Sequence, residues 1–331
     1  MRLRAIAGLY VGGVIGAGFA SGQELVVFFV NYGVTGLVGI LVAITFLCLG
    51  TVLILDFCAK RNVLSYAQIF DGLDPRMTPF FDLLYSAFLL IGTSVMLAGI
   101  GTMGSTPLAG LLLRLGTGAL ILVTLAKGSR GVVTLSGWLA PILVVILAVF
   151  ALHRLFVRSV CLPEHGSWRA VEASVLYGSY NLGFSMAVLA SVHHQIKTAQ
   201  ERWKLAILAN AILGFAMLLL YFALATLNPD QLREAFPLIH LVESLGPLAF
   251  AGYRFMLWAA MFSTAIAHSL ALVNRLSQPE GCSWGKVSFF VIAVSLSLSY
   301  FGFSTLIRVA YPILGLAGLW VMAYLVYERI G

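Results

Sequence analysis

Apolar residues fall into ten long stretches: 4–30, 33–57, 79–103, 106–126, 131–152, 169–195, 203–227, 248–275, 285–303 and 306–327. Each is close to the roughly 20 residues an α-helix needs to cross a bilayer, so the pattern predicts ten transmembrane helices. Glycine- and asparagine-rich joints such as Asn31-Tyr32-Gly33 and Lys127-Gly128-Ser129-Arg130 separate several of them. Longer polar connections lie at about 58–78, 153–168, 228–247 and 276–284.

The first stretch carries an interruption. It reads Gly12-Gly13-Val14-Ile15-Gly16-Ala17-Gly18-Phe19-Ala20-Ser21-Gly22-Gln23-Glu24, with five glycines and then an amide and a carboxylate at membrane depth. Each glycine costs a helix about 1 kcal/mol relative to alanine. A carboxylate at that depth costs several more unless it faces protein, water or a cation. Gly8, Gly12 and Gly16, spaced by four, would suit a packing stripe on an unbroken helix, but Gly13, Gly18 and Gly22 lie off it. The pattern therefore predicts a helix that unwinds near Ile15–Gly18, with freed carbonyls and amides lining a cavity.

The ten stretches divide into two groups of five, residues 1–152 and 169–331, joined by a connector at 153–168. Five crossings is an odd number, so the second group enters the membrane the other way round, which is the arrangement of an inverted repeat. The sixth stretch should then be broken where the first is. There Gly178, Asn181 and Gly183 cluster within Tyr177-Gly178-Ser179-Tyr180-Asn181-Leu182-Gly183, all poor helix formers. Asn181 lies 165 residues after Gly16, against 170 between the starts of the second and seventh stretches. The expected fold class is an all-α membrane protein of ten helices, with helices 1 and 6 broken at mid-membrane.

Composition and charge sharpen this picture. Of 331 residues, 60% are hydrophobic and 10% charged, which excludes a soluble domain. The net charge of +7 does not form a nucleic-acid surface, because the basic residues sit at segment ends. With the N-terminus inside, 13 of them (Arg2, Arg4, Lys60, Arg61, Arg76, Lys127, Arg130, Lys197, Arg202, Lys204, Arg275, Lys286 and Arg329) are cytoplasmic and 7 are not. This bias places both termini in the cytoplasm, makes 153–168 extracellular and points to the cell membrane. Met1-Arg2-Leu3-Arg4 before an apolar run is like a signal peptide, yet no small-residue cleavage site follows, so it is read as the first membrane helix. Cys48, Cys58, Cys161 and Cys282 show neither metal-type spacing nor a paired pattern.

Candidate chemistry concentrates at the interruption and in the eighth stretch. Ala260, Ser263, Thr264 and Ala267 share one helical face, presenting two hydroxyls among small side chains. Hydroxyls in membrane helices commonly bond back to their own carbonyls. Beside an opened first helix, however, such oxygens suit a small hard cation.

The order of these parts resembles the LeuT fold of the amino acid–polyamine–cation transporter superfamily. The Gly-Ala-Gly-Phe-Ala-Ser-Gly-Gln-Glu run at 16–24, with Tyr-Asn-Leu-Gly at 180–183, resembles the YkvI-type amino acid permeases over essentially the whole chain. That resemblance implies a sodium ion between the carbonyls of Gly12 and Ile15 and the residues Ala260, Ser263 and Thr264. Some proton-coupled relatives place a lysine of the fifth helix there, and the stretch 131–152 has none. Glu24 departs from the sodium-coupled pattern and keeps proton coupling open.

The expected substrate pocket comprises Gly16, Ala17, Gly18, Phe19, Ser21 and Glu24 of the first stretch, Tyr85 of the third, and Tyr177, Ser179, Tyr180 and Asn181 of the sixth. Amides at Ala17–Ser21 would take a carboxylate, and carbonyls ending the broken sixth helix near Tyr177–Ser179 an ammonium. Glu24 would pair with a substrate ammonium or take up a proton. His268 would tie neighbouring helices by one hydrogen bond or relay protons. Asp56 and Asp82 would pair with Lys60, Arg61 or Arg76, and His193-His194 would sit at the inner interface.

The function expected is cation-coupled symport of a small amino acid-like or zwitterionic solute by alternating access. It requires no cofactor beyond the coupling ion, sodium or a proton. A non-transporting nutrient sensor on the same fold is the alternative. No nucleophile–base constellation, phosphate loop or repeated filter points to an enzyme or a channel. The partners are the solute and the lipid bilayer.

Overall fold

The computed structural model describes residues 2–63, 69, 78–127, 132–160, 166–277 and 283–330. Arg76, Arg130, Cys161 and Cys282 lie outside these. Every one of the ten apolar stretches is helical. The first consists of α1 (Arg2–Val14), α2 (Ala17–Ser21) and α3 (Gln23–Phe28), followed by α4 (Val34–Arg61), α5 (Thr78–Thr102), α6 (Pro107–Ala126) and α7 (Val132–Val157). After the connector come α8 (Arg169–Val192), α9 (Ala199–Leu224), two short helices α10 (Pro229–Arg233) and α11 (Ile239–Val242), α12 (Pro247–Leu276) and α13 (Trp284–Ser299). The chain closes with α14 (Phe303–Thr305), a π-turn at Leu306–Ala310 and α15 (Tyr311–Ile330). Among the described residues, seven helices are long and apolar enough to cross a membrane and three apolar ones are shorter: Leu3–Val14, Ile142–Val157 and Trp284–Ser299. The face of the bundle that carries Arg2 is termed proximal, and the face carrying the Asn31 turn distal.

Local chemistry fixes the helix ends. Thr198 closes a capping box with Glu201 at the start of α9, and Asn228 does the same with Gln231 for α10. Thr106 accepts from the Ala109 amide, with Pro107 in the first turn of α6. The bundle's outer surface is apolar: Leu41 is 62% exposed, Leu83 71% and Phe156 88%. In water such a surface would be a liability, whereas in lipid it carries no penalty.

At the centre stands α8, packed on α4 and α15. Here the structure corrects the sequence reading, because α8 runs unbroken from Arg169 to Val192. Its glycines serve close approach instead of unwinding. A Cβ at Gly178 would stand 2.7 Å from Phe46 of α4, and one at Gly183 would stand 2.8 Å from Phe88 of α5. Asn181 satisfies itself within the helix, donating from Nδ2 to the Tyr177 carbonyl at 2.9 Å. Opposite, Gly315 and Gly318 of α15 lie against Leu176 and Ser179.

The carboxylates near the proximal face pair across helices. Asp56 of α4 meets Arg202 of α9 at 2.6 Å, and Asp82 of α5 meets Arg275 of α12 at 2.7 Å. Both pairs join helices far apart in sequence, whereas the partners expected for Asp56 and Asp82 were Lys60, Arg61 and Arg76, because antiparallel packing brings distant helix ends together. Cys48 and Cys58 are free thiols.

Candidate functional site

The first stretch opens where its glycines predict. The Gly16 amide turns to the Val14 carbonyl at 2.9 Å, which releases the Gly12 carbonyl from its helical partner. Ile15 and Gly16 form the gap, and α2 begins at Ala17. A second discontinuity follows at Gly22, in the left-handed region with φ +84°. Glycine alone occupies that region without strain, and Leu238 lies over it, 2.7 Å from where a Cβ would be. Glu24 therefore belongs to a third helical piece, not to one outer half resuming at about Ala20.

Below the gap lies a cavity of about 260 Å³, and it gathers all five residues expected to hold a cation: Gly12, Ile15, Ala260, Ser263 and Thr264. Tyr85, Phe184 and His268 also line it. It extends along α8 and α12 to Ser191, which is exposed, and Ala271, close to the proximal ends of both helices. Ser263 Oγ donates to the Ala260 carbonyl at 3.0 Å, which leaves its lone pairs for another donor or a cation. The set is neutral and made of oxygens, with a released carbonyl among them. That chemistry fits a monovalent hard cation.

Above the gap the expected substrate residues separate into two groups. Glu24, buried to 3% exposure, folds over Gly18, where a Cβ would stand 2.6 Å from its carboxyl carbon. Tyr180 stands beside Glu24, and Tyr177 and Tyr311 are its other phenolic neighbours. Glu24 Oε2 and the hydroxyls of Tyr177 and Tyr180 are buried with no hydrogen-bond partner, as are both amide atoms of Gln23. Phe28 closes the cluster at 5.6 Å from both Tyr177 and Tyr180. A charged carboxylate so enclosed would cost several kcal/mol without a counter-charge.

The rest are structural. Ser21 Oγ donates to the Gly18 carbonyl at 2.8 Å and accepts from the Gln23 amide at 3.1 Å, pinning the turn between α2 and α3. Phe19 is fully buried in the core, and Gly16 caps α2. Ser179 bonds its own helix at Val175 and packs against Gly318 of α15. Asn181 is likewise satisfied within α8. Tyr85 lines the lower cavity, apart from the Glu24 cluster.

The distal side is sealed. The Leu238 amide donates to the Ser21 carbonyl at 3.1 Å, and Tyr253 of α12 donates to the Ala20 carbonyl at 2.7 Å. Phe236 and Phe303 meet above, with ring centroids 5.4 Å apart.

Sequence reasoning missed Tyr311, Phe184 and Ser185. Tyr177, Tyr180 and Phe184 follow i, i+3, i+7 spacing, a helical stripe that was readable once α8 was taken as continuous. Ser185 Oγ is buried, unpartnered, and faces Gly13. His268 has its Nδ1 buried without a hydrogen-bond partner. It stacks on Phe184 at 4.8 Å with Nδ1 against Gly92. His193 is held within its own turn by the Ala190 carbonyl at 2.8 Å.

No family model matches the chain. Over 95% of its length it is 27% identical to the membrane protein YkvI of Bacillus subtilis (strain 168), covering 92% of that protein. Over 97% it is 25% identical to YyaD of the same organism, covering 95% of it. Among solved structures, MhsT in complex with L-phenylalanine matches with a TM-score of 0.69 at 16% identity, over 96% of this chain and 87% of that one. A Na+-coupled sialic acid symporter in a substrate-bound outward-open state matches with a TM-score of 0.60 at 18% identity, over 97% and 77%. The resemblance carried by residues 16–24 thus extends to the whole chain, and the fold is that of the LeuT-type membrane proteins.

Proposed function

We propose that this LeuT-fold relative of YkvI is a secondary active transporter of the cell membrane, coupling sodium to the movement of a small amino acid-like solute. The observation that carries the reading is the meeting of the opened Gly12–Gly16 backbone with Ser263 and Thr264 at one cavity. Such irregular backbone is tolerated at membrane depth only where it lines a site. In this reading Gly12, Ile15, Ala260, Ser263 and Thr264 hold the sodium ion. The chain crosses the membrane ten times as two groups of five in opposite sense, with both termini cytoplasmic. The proximal face is then the cytoplasmic one, and the state described is open inward and closed outward. The MhsT complex with an amino acid and the Na+-coupled symporter among the structural matches support the same class.

The test is a sodium titration of thermal stability on purified protein, followed by solute uptake in sodium-loaded and sodium-free vesicles. Thr264→Val keeps the shape and removes one oxygen. Sodium should stabilise the wild type and not the variant. Equal stabilisation of both, or uptake indifferent to sodium, would overturn the assignment.

A further inference from the structure

The ammonium subsite expected at the end of a broken sixth helix does not exist, because α8 offers no free carbonyl end there. The enclosed cluster around Glu24 has the opposite surplus. It holds one carboxylate oxygen and two phenol hydroxyls without partners, all in residues less than 4% exposed. Unsatisfied groups at this density are rare in proteins and point to a missing partner. A positive partner would balance an ionised Glu24, and one that donates hydrogen bonds would use the oxygen atoms.

We propose that Glu24, Tyr177 and Tyr180 form the recognition site for an N–H-bearing organic cation, a primary ammonium group of the transported solute. A primary ammonium has three donors. Glu24 Oε2 and the two hydroxyls offer three acceptors on two facing elements, α3 and α8. Tyr177 and Tyr180 meet edge-to-face at 5.4 Å, and Tyr180 and Tyr311 lie 4.7 Å apart, so aromatic rings, which attract cations, cluster beside Glu24. A quaternary ammonium would gain the aromatic contact and leave every oxygen unpaired. A bare metal ion would leave the aromatic faces unused. The site deepens the transporter reading and rests on it for the word "transported". It also divides the work: the neutral oxygens below the gap take the inorganic ion, and the charged cluster above takes the solute.

The experiment measures the thermal stability of the purified full-length protein with a panel of probes, with and without sodium. The panel holds the twenty common amino acids, amines without a carboxylate (methylamine, ethanolamine, putrescine) and acids without an amine (lactate, succinate). Stabilising probes should all carry an ammonium, and the N-trimethylated form of the strongest should lose the effect. Glu24→Gln should weaken that probe by about thirtyfold or more, and Tyr180→Phe by about tenfold, while sodium still stabilises both variants. Stabilisation by acids lacking an amine, undiminished binding by Glu24→Gln, or no amine binding at all would overturn the proposal. Sodium binding without amine binding would sink this site and leave the cation site standing. Glu24-dependent amine binding without any sodium effect would do the reverse.

Discussion

Gly18→Ala tests the seat of Glu24 most directly. The new methyl carbon would stand 2.6 Å from the carboxyl carbon and 2.8 Å from Cγ of Glu24. Carbon atoms pack at about 3.5 Å or more, so the carboxylate has to retreat by roughly 1 Å. The obstacle is the end of a flexible side chain, not backbone, and overpacking of this kind costs about 1–3 kcal/mol. Replacing glycine in α2 returns up to about 1 kcal/mol of helix propensity. The net loss of stability should therefore be about 0–3 kcal/mol, and the protein should fold. Binding is more demanding, because a 1 Å displacement of a positioned group can cost about a hundredfold. Gly16→Ala is the internal control: a Cβ there meets nothing within 4 Å. The assay is thermal stability with a titration of the strongest amine probe. Gly18→Ala binding as tightly as wild type, or Gly16→Ala failing equally, would refute the placement of Glu24.

Other consequences can be checked in the same preparation. Ser263→Ala should weaken sodium stabilisation as Thr264→Val does, because with its proton on the Ala260 carbonyl the Ser263 hydroxyl turns its lone pairs to the cavity; a sodium titration of Ser263→Ala that matches wild type would refute this. Gly315→Ala puts a methyl 2.7 Å from the Leu176 carbonyl oxygen, backbone that cannot swing aside, and should cost about 2 kcal/mol or more by thermal melting. Gly22→Ala combines φ +84° with the Leu238 contact and should destabilise by a similar amount, with distal accessibility to thiol reagents rising at an engineered Ser21→Cys. Asp82→Asn leaves Arg275 without its 2.7 Å charge partner, and since both are about a quarter exposed the melting loss should stay near 1 kcal/mol.

The opening of the first helix was legible because its glycines exceed what any packing stripe requires. The meeting of Ala260, Ser263 and Thr264 at one cavity was legible because a one-face pattern survives whatever the helix touches. The state of α8 was not. Gly178, Asn181 and Gly183 read as helix breakers, yet the same residues permit Phe46 and Phe88 to approach, and only the neighbours distinguish the two uses. Asn181 could end a helix or bond back within it, and the choice is made by tertiary packing. The partners of Asp56 and Asp82 depend on which helix ends meet, which hydropathy does not encode. The turn at Gly22 was hidden because its demand comes from Leu238, more than two hundred residues away.

The five residues of α2 join two tasks in one rigid piece. Gly18 seats the Glu24 side chain, while Ala20 and Ser21 accept the bonds from Tyr253 and Leu238. A tilt of α2 breaks both bonds together, and at about 1 kcal/mol each their loss shifts the balance between sealed and unsealed forms by roughly thirtyfold. Whatever grips Glu24 acts on the same lever, and by reciprocity the lever acts back on the grip. A ligand that binds the sealed form better must be held better once the seal is made, by the same factor. Energy stored in two hydrogen bonds on one side of a short helix thus becomes selectivity on the other.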